Sequence, residues 1–154
     1  MKKKVSMLAV LWVACTLSLC AQQSIEQFRQ GVVNFLTEEG FRPTVDNNYH
    51  ILFSYGGDNY GVKITGKELP YTIHIYRYGM ELKDYDRNRM LKACNQANRE
   101  RRAAKAVVGK STVTFMSTLY CSSVSELTSV LLLSAHCANM MHKRVLEYYN
   151  ENNF

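Results

Sequence analysis

The spacing of apolar residues along this chain changes period several times, and each change marks an element. Ile25, Phe28, Val32, Phe35 and Leu36 recur at helical spacing. Ser24 with Gln27 makes a capping-box pattern before them, and Gly40 stands where a helix C′ residue belongs. A helix is expected over 24–39, with Phe41-Arg42-Pro43 as a break. The period then drops to two. Tyr49, Ile51, Phe53 and Tyr55 fall on one face of a strand, with Tyr49 and Tyr55 expected to face the core helices. Gly56-Gly57-Asp58-Asn59 supplies turn chemistry and 60–65 alternates again, which makes a hairpin. After Gly66 and Pro70, the run Tyr71 to Tyr78 (YTIHIYRY) is β-branched and aromatic, as a third strand should be.

Helical spacing returns once Asp84 or Asp86 offers a cap, and the helix is expected to run to about Arg102. Tyr85, Met90, Leu91, Cys94 and Ala97 form its narrow apolar stripe. Residues 104–108 and 111–121 flank Gly109-Lys110 as a second hairpin. Ser123 and Glu126 make another capping box, which opens a long helix over 124–149. The order α-β-β-β-α-β-β-α groups strands and helices instead of alternating them strictly. It predicts an α+β fold: an antiparallel sheet of about five strands packed with three helices. No repeat or low-complexity tract divides residues 22–154, which read as one domain.

The first residues change the picture. Lys2-Lys3-Lys4 precedes an apolar run from Met7 to Ala14, extended to Leu19, and a small residue, Ala21, comes just before two glutamines. These are the parts of a secretory signal peptide, with cleavage expected between Ala21 and Gln22. The run falls somewhat short of the roughly 20 residues that a permanent span needs. Export to the periplasm or beyond is the expectation, with membrane contact only through the signal peptide. The alternative is a lipid anchor, because Leu17-Ser18-Leu19-Cys20 and Trp12-Val13-Ala14-Cys15 each match a lipobox in part.

Cleavage also alters the charge. The chain holds 19 cationic and 13 acidic residues, net +6. Three of the lysines lie in the signal, so sixteen cations face thirteen acids in the remainder, net +3. That modest excess, in an exported protein, argues against a nucleic-acid partner. Cys94, Cys121 and Cys137 remain after cleavage. An odd number at wide spacing is unlike a small disulfide scaffold. One bridge with a spare thiol, or three buried thiols, both fit.

The element order and several stretches resemble the YbjN family, which shares its fold with the secretion chaperones of type III systems. The matching stretches are FLTEEGFRPTVDNNYHILFSY at 35–55, NQANRERRAAKAVV at 95–108 and Thr118 to Leu133. The resemblance covers nearly the whole mature domain and rests on pattern, not on an invariant motif. Tyr120-Cys121-Ser122-Ser123 stands where such relatives often have an acidic Pro/Gly turn. The resemblance implies a small α/β protein that binds other proteins, dimeric as the chaperones are. Those chaperones are typically acidic and cytoplasmic, so export and a basic balance set this chain apart from a type III role.

No phosphate loop, dinucleotide fingerprint, HExxH, nucleophile elbow or calcium loop is present, and neither a cofactor nor enzymatic chemistry is expected. The six tyrosines of the first three strands suit protein recognition, because their rings are large, stiff and amphipathic. Thr72, His74, Tyr76 and Tyr78 share one strand face and are the best candidates for contact with a partner protein. Arg99, Arg101 and Arg102 end the basic helix, where they could meet an acidic partner or simply complement the helix dipole. His136, Cys137, Met140 and His142 in the last helix carry soft donors suited to Cu(I), which makes metal binding the alternative function. Against that, His136 and His142 are six residues apart and point to different sides. Packing, or a homodimer seam along a helix apolar on most sides from 130 to 141, accounts better for the segment. Cys94 with His136, or Cys121 with His74, would be the pairs for a small hydrolase, though no motif brackets these cysteines.

Overall fold

The computed structural model describes residues 24–151. The predicted signal segment, the Ala21–Gln22 cleavage site and the lipobox-like cysteines lie outside the described residues. Helix α1 spans Ile25–Glu38, and both of its ends follow from local chemistry. Ser24 Oγ accepts from the Gln27 amide at 3.2 Å, and the Ser24 amide donates to Gln27 Oε1 at 3.0 Å. At the other end Gly40 takes φ +85°. Its amide reaches Thr37 O, and the Phe41 amide reaches Leu36 O, which is a Schellman stop.

The strands are β1 Thr44–Val45, β2 Ile51–Tyr55, β3 Asp58–Thr65, β4 Tyr71–Glu81, β5 Lys105–Val108 and β6 Thr112–Cys121. Helix α2, Arg87–Glu100, joins β4 to β5, and helix α3, Val124–Glu151, ends the described chain. All neighbours in the sheet are antiparallel, in the order β1-β2-β3-β4-β6-β5. The fold class and element order are those expected, with one strand more. Residues 44 and 45 pair with Leu52 and Ile51, and two residues after a proline are too few to show any period. Asp86, not Asp84, caps α2, with its side chain accepting from the Arg89 amide at 2.7 Å.

All three helices pack on one face of the sheet. Two buried clusters lie between the layers. Phe28, Val32 and Leu36 of α1 meet Ile51, Val62, Ile73 and Ile75 of the sheet and Leu127 and Leu131 of α3. Farther along, Met90, Ala93, Cys94 and Ala97 of α2 meet Val113 and Phe115 of β6 and Ala138, Met141 and Val145 of α3. Helix α3 has 28 residues, about 42 Å, long enough to serve both clusters. It buries one side only. Leu133 and Met140, from the apolar 130–141 segment, stay exposed on the other side. Its start differs a little too: Ser123 Oγ accepts from the Glu126 amide, while Glu126 Oε2 accepts from the Ser122 amide at 2.7 Å.

Tyr49 corrects a second expectation. It sits before β2 at φ +60° and is 61% exposed, so it does not face the core. Asp46 explains the turn. Its Oδ1 accepts from the amides of Asn48 and His50, which reverses the chain and swings Tyr49 outward. Tyr55 does pack against the first cluster, with its ring 6.0 Å from that of Phe41. No helix among the described residues is long and apolar enough to cross a membrane.

Candidate functional site

Among the described residues, nothing covers the sheet face opposite the helices. Register places its residues in rows across the strands: Thr44, Leu52, Gly61, Tyr76, Met116 and Lys105 in one, then Lys63, His74 and Thr118, then Thr65, Thr72 and Tyr120. Thr72, His74 and Tyr76 therefore do share a face, as their alternation in sequence required. Tyr78 joins them at the irregularity between Arg77 and Met80. His74, Tyr76 and Tyr78 line a groove of about 610 Å³ together with Lys63, Thr114 and Met116.

Tyr76 is the fixed point of this face. Its ring lies over Gly61, where a Cβ would stand 2.3 Å from Tyr76 Cζ, so the ring takes this place because residue 61 has no side chain. Its hydroxyl reaches His50 Nδ1 at 3.0 Å, and the same nitrogen is 3.3 Å from Asp46 Oδ2. The β1–β2 turn is thereby tied to the centre of the sheet. Burial, with Tyr78 beside it at 5.7 Å between ring centroids, raises the Tyr76 pKa, so the phenol stays protonated. His74 hydrogen-bonds Thr118 Oγ1 at 3.1 Å. Burial and then the Lys63 ammonium lower its pKa, so the ring is neutral at pH 7. The face is thus mostly uncharged, aromatic and half-buried, with Lys63 and Glu81 as the charged groups of the groove. Tyr120 stands out from it at 71% exposure. Sequence reasoning placed Tyr76 here but missed Met116, Gly61 and Tyr120, because facing positions on β3 and β6 depend on register.

The edges differ in how open they are. On β5 the Asn98 side chain donates to Ala106 O and accepts from the Ala106 amide, both at 2.8 Å. The carboxamide thus copies a neighbouring strand and closes that edge. Lys105 Nζ adds bonds to Asn98 O and Arg101 O, which ends α2.

The other candidate residues lie on the helix side. Arg99, Arg101 and Arg102 are exposed at the end of α2, across the molecule from the tyrosines. Glu100, in their midst, is engaged by Arg144 at 3.2 Å and by the Tyr148 hydroxyl. Arg101 and Arg102 line a cleft of about 380 Å³ with Cys137, Met140 and Met141 of α3. His136 is exposed. His142 turns the other way, with Nε2 at 3.2 Å from Met80 Sδ and its ring 5.0 Å from that of Phe115. The four soft donors are therefore not brought together: Cys137 and Met140 share a cleft, while His142 lies apart. Among the described residues no group of three or more His, Cys, Asp or Glu side chains is placed to hold a metal.

Cys94, Cys121 and Cys137 are all free thiols. Burial pushes the Cys94 thiol up to about 11, and burial, then Glu126, raises that of Cys121. Neither is a thiolate at neutral pH. Cys121 points into the helix-covered layer and His74 out of it, so that pairing is not formed. Cys94 is buried whereas His136 is exposed. No protein-family model, no curated protein and no solved structure matches the chain, so the resemblance to the YbjN family stands on sequence pattern alone.

Proposed function

We propose that this chain is an exported, non-enzymatic binding module that captures a segment of another protein on the bare face of its sheet. One observation carries the reading. Among the described residues, three helices cover a single face of the six-stranded sheet, and the opposite face bears a groove lined by His74, Tyr76, Tyr78 and Met116. Aromatic and methionine side chains with few charges are the composition that interface centres favour. The closed β5 edge directs capture to the face and away from strand addition there. The lysines before the N-terminal apolar run support export, and the pattern likeness to the YbjN family and the secretion chaperones supports a protein partner. The test is a photo-crosslinking amino acid placed in living cells at Tyr120, on the bare face, or at Ser129, on the exposed side of α3. A discrete adduct from the first position and none from the second is expected. Equal labelling from both, or none from either, would sink the reading.

A further inference from the structure

The helix side brings together two features that are far apart in the chain. Arg101 and Arg102 follow the end of α2, and Cys137, Met140 and Met141 lie at i, i+3 and i+4 on α3. All five line one cleft of about 380 Å³, with Glu100, Ala103 and Ala104 beside them. Along the same helix face Leu133 continues the apolar stripe at 64% exposure, and Met140 is 38% exposed. The floor is therefore sulfur and methyl, and the rim sets the guanidinium groups of Arg101 and Arg102 beside the single carboxylate of Glu100.

The charge at that rim is compensated only in part, by Glu100, which lines the same cleft and lies in the field of Arg101. Glu100 is the nearest acid in sequence, yet its carboxylate is taken by Arg144 and the Tyr148 hydroxyl. Arg99, Arg101 and Arg102 form no ion pair among the described residues. Two guanidinium groups beside three sulfur atoms repel a metal cation and attract an anion. An apolar floor with a cationic rim fits a ligand that is apolar on one side and acidic on the other.

We propose that this cleft docks an acidic amphipathic peptide segment, distinct from whatever the sheet face binds. Its apolar side chains rest on Leu133, Cys137 and Met140, and its Asp or Glu side chains meet Arg101 and Arg102. Arginine favours such contacts because its planar fork takes a carboxylate bidentately. A protein partner fits better than a lipid surface, since the apolar stripe runs over about two turns of α3 and lies beside the charge, not beneath it.

The test uses the purified protein and a labelled synthetic peptide of about sixteen residues, long enough to hold a helix, with leucines on one side and glutamates flanking them. Fluorescence anisotropy should show binding that weakens as salt is raised. Arg101→Glu/Arg102→Glu should weaken it about tenfold or more, and should gain affinity for the same peptide with lysine in place of glutamate. Both arginines are exposed, so thermal melts should match the parent protein; Met140→Ser provides a second, uncharged lesion that should also weaken binding. NMR shifts should map to α2 and α3. A footprint on Tyr76 and Tyr120, affinity indifferent to both variants, or binding of anionic phospholipid vesicles with no binding of the peptide would each overturn the proposal. Because Tyr76 and Tyr120 lie outside this cleft, failure here leaves the sheet-face reading to its own test.

Discussion

The two faces of the sheet are drawn from the same strands, residue by residue, and they differ in kind. Facing the helices are Ile51, Phe53, Tyr60, Val62, Ile64, Ile73, Ile75, Val113 and Phe115, all buried. Facing away are Leu52, Gly61, Lys63, His74, Tyr76, Thr114, Met116 and Tyr120. The inner set is β-branched aliphatic or aromatic, and the helices bury it. The outer set mixes hydroxyl, imidazole, thioether and ring. It is too polar to hold a permanent layer and too aromatic to be merely solvated. Binding surfaces occupy that middle ground.

The contrast breaks most visibly at adjacent positions on β4. Ile73→Asp places a carboxylate in the first cluster with no partner, and should cost about 4 kcal/mol or more, enough to abolish cooperative unfolding. Thr72→Asp, one residue away on the bare face, should change stability by about 0.5 kcal/mol or less. Circular dichroism melts of both variants check this, and comparable losses would show that the outer face is covered in solution.

That alternation was the most legible part of the sequence. YTIHIYRY already separated Ile73 and Ile75 from Thr72, His74 and Tyr76, and the capping boxes at Ser24 and Ser123 set the helix starts. Less was legible wherever the answer depended on contacts between distant residues. Tyr49 belongs to the β2 alternation by spacing, but the Asp46 turn rotates it outward. Gly61 is an unremarkable strand glycine until β4 pairs with β3 and lays Tyr76 across it. The arginines after α2 and the Cys137–Met141 turn are about thirty-five residues apart, and only the packing of α2 on α3 makes them one cleft.

The edge of the sheet is the next place to press. Asn98→Ala leaves the Ala106 amide and carbonyl unpaired at the β5 edge. The expected cost is about 1–3 kcal/mol. Opening the edge should also promote association, visible as a concentration-dependent rise in sedimentation coefficient. A monomeric variant of unchanged stability would mean that water replaces the carboxamide without loss.

A smaller effect compares one histidine from each face. On the inner side, burial and then Arg77 lower His142 to about 4, from an ordinary value of 6.5. The unfolded chain therefore takes up the proton first as pH falls. Stability from this group is complete above about pH 6.5, drains away between 6.5 and 4, and is level below that. After allowance for the ring's partial exposure the loss is about 1–2 kcal/mol. His142→Gln should flatten that segment of the stability–pH curve. His74→Gln should alter it less, because the His74 ring is held by the exposed Thr118 hydroxyl on the open side.

The smallest effect on stability should be the most informative about the bare face. Gly61→Ala puts a methyl 2.3 Å from Tyr76 Cζ, and the far end of the ring can swing clear into the groove. The cost should stay below about 1 kcal/mol, since what is lost is one half-exposed hydrogen bond, from the Tyr76 hydroxyl to His50 Nδ1. The groove, however, changes shape. Tyr76→Phe removes the same hydrogen bond and leaves the ring where it is. If the face recognises its partner by shape, crosslinking from Tyr120 should fall several-fold in Gly61→Ala and hold in Tyr76→Phe. If both variants lose the adduct equally, the hydroxyl and the turn it anchors are what the partner reads. If neither does, Tyr76 belongs to the architecture of the sheet and the contact lies nearer Tyr120.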